Sequence, residues 1–109
     1  MKSFLVLLSE KQPQLLNESL LQDHISYLKI LRKKGYLPLC GPFSDNQGAV
    51  LIIRTDLKSH AEELINGDPF IQRNYYKKYE IHEFTEAGDE NNWLSSSNQT
   101  LKNIDCKNE

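Results

Sequence analysis

The chain has 109 residues, 39% of them hydrophobic, with 13 basic residues against 15 acidic ones and a formal net charge of −2. That size bounds it to one domain with a modest core, and the charge lacks the basic excess of a nucleic-acid binder. No apolar run approaches the ~20 residues that a membrane span needs.

Residues 3–8 are apolar at nearly every position. The block imitates a signal peptide, but a secretory apolar region needs about 7–15 residues. It is predicted instead as a strand, apolar on both faces and therefore central in its sheet, and the protein is placed in the cytoplasm. Pro13 punctuates the connection that follows, and Asn17 is the expected N-cap of a helix over residues 20–34, which Gly35 ends. Arg32, Lys33 and Lys34 form the sole basic cluster, and a helix C-terminus favours cations there.

Residues 36–43 read as a second strand, irregular or at an edge because of Pro38 and the Gly41-Pro42 pair. A turn at residues 44–48 leads to a third, apolar strand over 49–54, so strands two and three form a hairpin. Asp56 is expected to start a second helix over residues 57–65, stopped by Asn66-Gly67. Asp68 caps a short helical turn that has Pro69 at its first position. A last strand covers residues 75–84, with Tyr75, Lys77, Tyr79 and Ile81 on one face and Tyr76, Lys78, Glu80 and His82 on the other.

The order β-α-β-β-α-β predicts an α+β, ferredoxin-like fold: an antiparallel sheet with both helices on one face. Leu5 and Leu7, alternating with Phe4, Val6 and Leu8, leave the other face apolar and uncovered, as do Val50 and Ile52. An apolar face of that kind predicts a partner, and the simplest is a second copy packed sheet to sheet.

Residues 1–86 are expected to form this domain, and residues 87–109 a polar, mobile tail rich in Asn and Ser. The acids Asp89, Glu90, Asp105 and Glu109 against Lys102 and Lys107 place the whole net charge of −2 in the tail. Trp93, Leu94, Leu101 and Ile104 could form a short docking helix.

On a helical wheel, Leu20, Leu21, Ile25, Leu28 and Leu31 make one stripe, with Gln22, Lys29 and Lys33 opposite. His24 falls inside the stripe and should point at the sheet. It is either a core histidine bonded to a backbone carbonyl or an acid/base group lining a cleft. Asp68 is likewise either a helix cap alone or a cap that also accepts from an imidazole, which would fix the tautomer of His24.

Other candidates are weaker. Cys40 has no evident cationic neighbour, and Cys40 with Cys106 makes neither a disulfide framework nor a zinc pattern. His60, among Lys58, Glu62 and Glu63, reads as surface. His82 lacks two further spaced metal ligands. Ser44 can donate to a ligand, and Tyr75, Tyr76 and Tyr79 read as packing or dimer-face aromatics. No Gly-rich phosphate loop is present.

Over residues 1–86 the chain resembles the YciI-like (YCII-related) family. The match lies in the apolar first strand, the helix carrying His24-Ile25-Ser26-Tyr27-Leu28, Gly35, Gly41-Pro42, the apolar third strand and Asp68-Pro69-Phe70. The resemblance implies a ferredoxin-like domain that dimerises through its sheets as a dimeric α/β barrel. It also implies a site in which His24 and Asp68 are paired and Gly41 and Pro42 shape the wall. Some relatives act as dehydrochlorinases on chlorinated hydroxyquinol-type rings. The expected function is therefore a cofactor-free, metal-free lyase, dehydrochlorinase or isomerase acting on a small cyclic substrate. The alternatives are a non-catalytic small-molecule-binding domain and a dimeric interaction domain in which His24 is structural.

Overall fold

The computed structural model describes residues 1–95. Four strands form one antiparallel sheet: β1 (Lys2–Lys11), β2 (Leu39–Pro42), β3 (Ala49–Thr55) and β4 (Tyr76–Phe84), in the order β2-β3-β1-β4. Three helices complete the domain: α1 (Glu18–Lys33), α2 (Lys58–Asn66) and α3 (Pro69–Gln72). This is the ferredoxin-like arrangement, with the apolar β1 central as its composition demands.

Alternation along β1 decides the layers. Phe4, Val6 and Leu8 are buried and share a core with Leu51 and Ile53 of β3, Leu20 and Leu31 of α1, and Ala61 and Ile65 of α2. Removing each of these side chains larger than alanine from water stabilises the fold by about 1.5–3 kcal/mol. The register pairs Leu5 with Ile52 and Leu7 with Val50, so these four share the opposite face, where all are half-buried. Leu39, paired with Ile52 on the same face, is 54% exposed.

The helix termini follow their sequence signals in part. Asn17 caps α1, its side chain accepting from Leu20 N–H at 2.8 Å. After the helix, Gly35 takes φ +86°, the left-handed conformation that glycine adopts without steric cost. Asp56 does not cap α2. The helix starts one residue later than expected, Leu57 takes the cap position, and no side-chain cap forms. Strand β2 has only the four residues Leu39–Pro42, because Pro38 and Pro42 lack the N–H a longer ladder needs.

The expected alternation in the last strand fails at its start. Tyr75 precedes β4, and Tyr75 and Tyr76 are both buried, each packed against Phe70 with ring centroids 4.5 and 5.9 Å away. Of the residues expected in a short docking helix near the C-terminus, Trp93 and Leu94 end a 3₁₀ segment at Asp89–Leu94, and Trp93 is 62% exposed. Leu101, Ile104 and Cys106 lie outside the described residues. Among the described residues, no helix is long and apolar enough to cross a membrane.

Candidate functional site

The short α3 brings together residues far apart in the chain. Pro69 at its first helical position fixes the turn, and Asp68 is the N-cap, its Oδ1 accepting from Phe70 N–H at 3.0 Å. The same Oδ1 lies 2.8 Å from His24 Nδ1, across 44 residues of sequence. Two residues on from Asp68, the Phe70 ring stacks on the imidazole, with centroids 3.6 Å apart and planes within 4°. One tripeptide, Asp68-Pro69-Phe70, thus holds His24 by an edge and by a face. An exposed ion pair between Asp23 and Arg73, 2.8 Å long, also ties α1 to the C-cap of α3.

The pairing has a direction. A carboxylate only accepts, so Nδ1 is the donor and a neutral imidazole keeps its lone pair on Nε2. Among the described residues Nε2 has no hydrogen-bond partner, and it is not a buried atom, so it is reached from the open side of the ring. The His24 side chain retains 14% exposure and that of Asp68 only 2%. Asp68 Oδ2 is the one buried, unpartnered side-chain oxygen or nitrogen among the described residues. Burial, then the nearby Asp68 charge, raises the Tyr27 hydroxyl above its ordinary pKa; burial, then Tyr75 and Asp68, does the same for Tyr76.

His24 lines a cavity of about 400 Å³ between α1, α3 and the sheet. Most of its wall is apolar, including Leu8, Leu21, Ile25, Leu28 and Leu51. Gly41 and Pro42 line it as well, and so do Tyr75 and Tyr76. Ser44 does not. It lies exposed in the β2–β3 turn, where Phe43 N–H bonds to Gly48 O at 2.8 Å and carries residue 44 away from the cleft. Asn46 of the same turn lines the cavity in its place.

Three wall features lay outside the sequence reading. Cys40 has a cationic neighbour after all: Arg32 Nη2 lies 3.6 Å from its Sγ, contributed from the last turn of α1. Lys11 lines the cavity, although alternation along β1 puts it with Leu7 and Ser9 on the other face. Glu10, in the left-handed region at φ 58°, breaks that alternation. Phe70 had a signal, since an aromatic residue two positions after a capping aspartate sits on the first turn beside whatever the cap binds.

His60 and His82 stand apart from this cavity. His60 is half-buried rather than on the surface, its Nδ1 hydrogen-bonded to Thr55 Oγ1 and its ring edge-on to Tyr36. His82 is exposed, 3.3 Å from Glu80. Among the described residues, no three or more of His, Cys, Asp and Glu cluster as metal ligands would.

No curated protein matches the chain. Among solved structures it is similar to 5-chloro-2-hydroxyhydroquinone dehydrochlorinase from Burkholderia phenoliruptrix AC1100, in its complex with 2,5-dihydroxybenzoquinone. The similarity has a TM-score of 0.58 and 19% identity, and covers 81% of this chain and 97% of that one. At that identity it speaks for the shared fold. The family profile of the YCII-related domain matches residues 3–85, and the chain belongs to that family.

Proposed function

We propose that the protein is a small acid–base enzyme of lyase or isomerase type, in which Asp68 orients His24 and His24 moves a proton on a small cyclic organic substrate. The observation that carries this reading is the imidazole itself. It is bonded to Asp68 through Nδ1, stacked on Phe70, and left with Nε2 open at the wall of a largely apolar cavity. A cavity of about 400 Å³ is within the range of small-molecule sites, which are mostly apolar with a few placed polar groups.

In an elimination, the Nε2 lone pair takes a proton from the substrate. The electron pair of that bond moves into the ring system, and halide departs with the electrons of its own bond. Asp68 then faces an imidazolium, and their attraction in a water-poor site offsets the charge that forms. An isomerisation uses the same first step and returns the proton at another atom. The dehydrochlorinase named above supports elimination, since a protein of this fold performs it.

The test is turnover of a panel of halogenated hydroxyquinols and cyclic enolisable ketones, read as halide release and as deuterium uptake from solvent. His24→Ala is expected to lower the rate about a hundredfold or more while the protein still folds. A substrate turned over equally well by that variant would end this mechanism. Tight binding without turnover of any panel member would make the protein a binding domain instead.

We also propose that two copies pack through the open sheet face, where Leu5, Leu7, Val50, Ile52 and the exposed Leu39 leave an apolar surface among the described residues. Sedimentation equilibrium should give a dimer, and Leu7→Lys should give a monomer. A wild-type monomer contradicts this assembly.

A further inference from the structure

The cavity beside His24 is lined by one side chain that ends in an amine, Lys11. Among the described lining residues there is no Asp, Glu or Arg, and Lys11 is the sole lysine. Its position is held from two sides. Lys11 Nζ donates to Asn46 O in the β2–β3 turn at 2.9 Å, and it stands over the Tyr75 ring, 5.7 Å from the centroid. The backbone prepares that placement, since Glu10 at φ 58° redirects the end of β1. An ammonium has three donors, and Asn46 takes one. The other two have no protein partner among the described residues. Nothing in the fold requires a lysine here: the turn carbonyl needs only a neutral donor, and a strand end in water needs no charge at a cavity wall.

We propose that Lys11 is the specificity residue of this site and that it selects a monocyclic organic anion whose charge lies on a ring oxygen, a phenolate or an enolate. The inference rests on the acid–base reading of His24 and names the substrate class for it. The apolar wall of Leu8, Leu21, Leu28 and Leu51 takes the ring, and it also lowers the local dielectric, so that an ammonium–oxyanion contact is stronger than in water. The arrangement suits proton transfer to Nε2 as well. When a ring C–H or O–H proton leaves, the electron pair it leaves behind delocalises onto the ring oxygen, and Lys11 offsets that charge. His24 handles the proton, Lys11 the anion.

The test is binding to the full-length chain at about pH 9, where an ordinary imidazole is neutral and an ordinary lysine is still charged. The probes are 4-nitrophenol, ionised at that pH, and nitrobenzene, the neutral ring that lacks the oxygen. Wild type should bind 4-nitrophenolate roughly tenfold to a hundredfold more tightly than nitrobenzene. Lys11→Met and Lys11→Gln should bring that ratio close to one with nitrobenzene affinity retained, which also reports that both variants fold. Lys11→Arg should keep the preference.

A wild-type ratio near one, or a preference that survives in Lys11→Met, overturns the role of Lys11. In that case nitrobenzene binding that still perturbs the His24 imidazole leaves the acid–base reading standing. If neither probe binds, or neither perturbs His24, both readings fall together.

Discussion

Two half-buried histidines flank opposite ends of β1, and each engages a neighbour through Nδ1. His24 meets the Asp68 carboxylate and lies flat on Phe70. His60 meets the Thr55 hydroxyl and stands edge-on to Tyr36, with planes 89° apart. Both border a hollow of similar size, about 400 Å³ beside His24 and about 430 Å³ beside His60, so room alone does not distinguish them. The partner does. A carboxylate accepts and nothing else, so it dictates which ring nitrogen carries the hydrogen. A hydroxyl donates or accepts, so the His60 ring is tethered without a dictated tautomer. The surroundings differ too: the His60 hollow is bounded by Asp56 and by Leu57, which is 60% exposed, whereas the His24 cavity has an apolar wall.

The largest expected effect breaks this comparison directly. His24→Ala should abolish turnover by about a hundredfold or more, while His60→Ala should leave kcat unchanged. A matching loss in both variants would show that the two histidines had been assigned wrongly. A middle-sized effect is on stability, measured by urea unfolding. His60→Ala should cost about 1–2 kcal/mol, because it leaves the hydroxyl of buried Thr55 without its partner.

The smallest effect is a pH dependence. Burial first and the Asp68 charge second hold the Tyr27 hydroxyl above its ordinary pKa. A raised folded-state pKa favours the neutral phenol, so its contribution to stability is complete below about pH 10 and is lost as pH rises through the folded value. Thermal stability should therefore fall above about pH 10, and Tyr27→Phe should flatten that decline even though it forfeits the 2.6 Å bond to Leu64 O. An unchanged alkaline slope in Tyr27→Phe would place the cause elsewhere.

The fold was legible because its signals are local. The apolar β1, the Asn17 cap, the Gly35 stop and the Gly41-Pro42 break each act within a few residues, and together they order the elements. The candidate site was legible in its parts: His24 lay inside the apolar stripe of its helix, and Asp68 stood before Pro69 as a cap. Their meeting was not legible, because nothing local says that α3 docks against α1. Lys11 was hidden by the positive φ at Glu10, which defeats an alternation rule that presumes a regular strand. Cys40 looked unaccompanied because Arg32 reaches it from the far end of α1. Ser44 was misplaced because a turn's sequence gives its position but not which of its side chains faces the cleft. His60 looked like surface because its flanking charges were visible and its bond to Thr55 was not.

The central claim is that Asp68 holds His24 as the Nδ1–H tautomer with Nε2 open to the cavity. Nitrogen-15 NMR of the imidazole at a pH where it is neutral tests this without knowledge of the substrate. The account predicts a protonated Nδ1 and an unprotonated Nε2 in the wild type, with that preference lost in Asp68→Asn. A wild-type His24 carrying its hydrogen on Nε2, or a tautomer unchanged by Asp68→Asn, would contradict it.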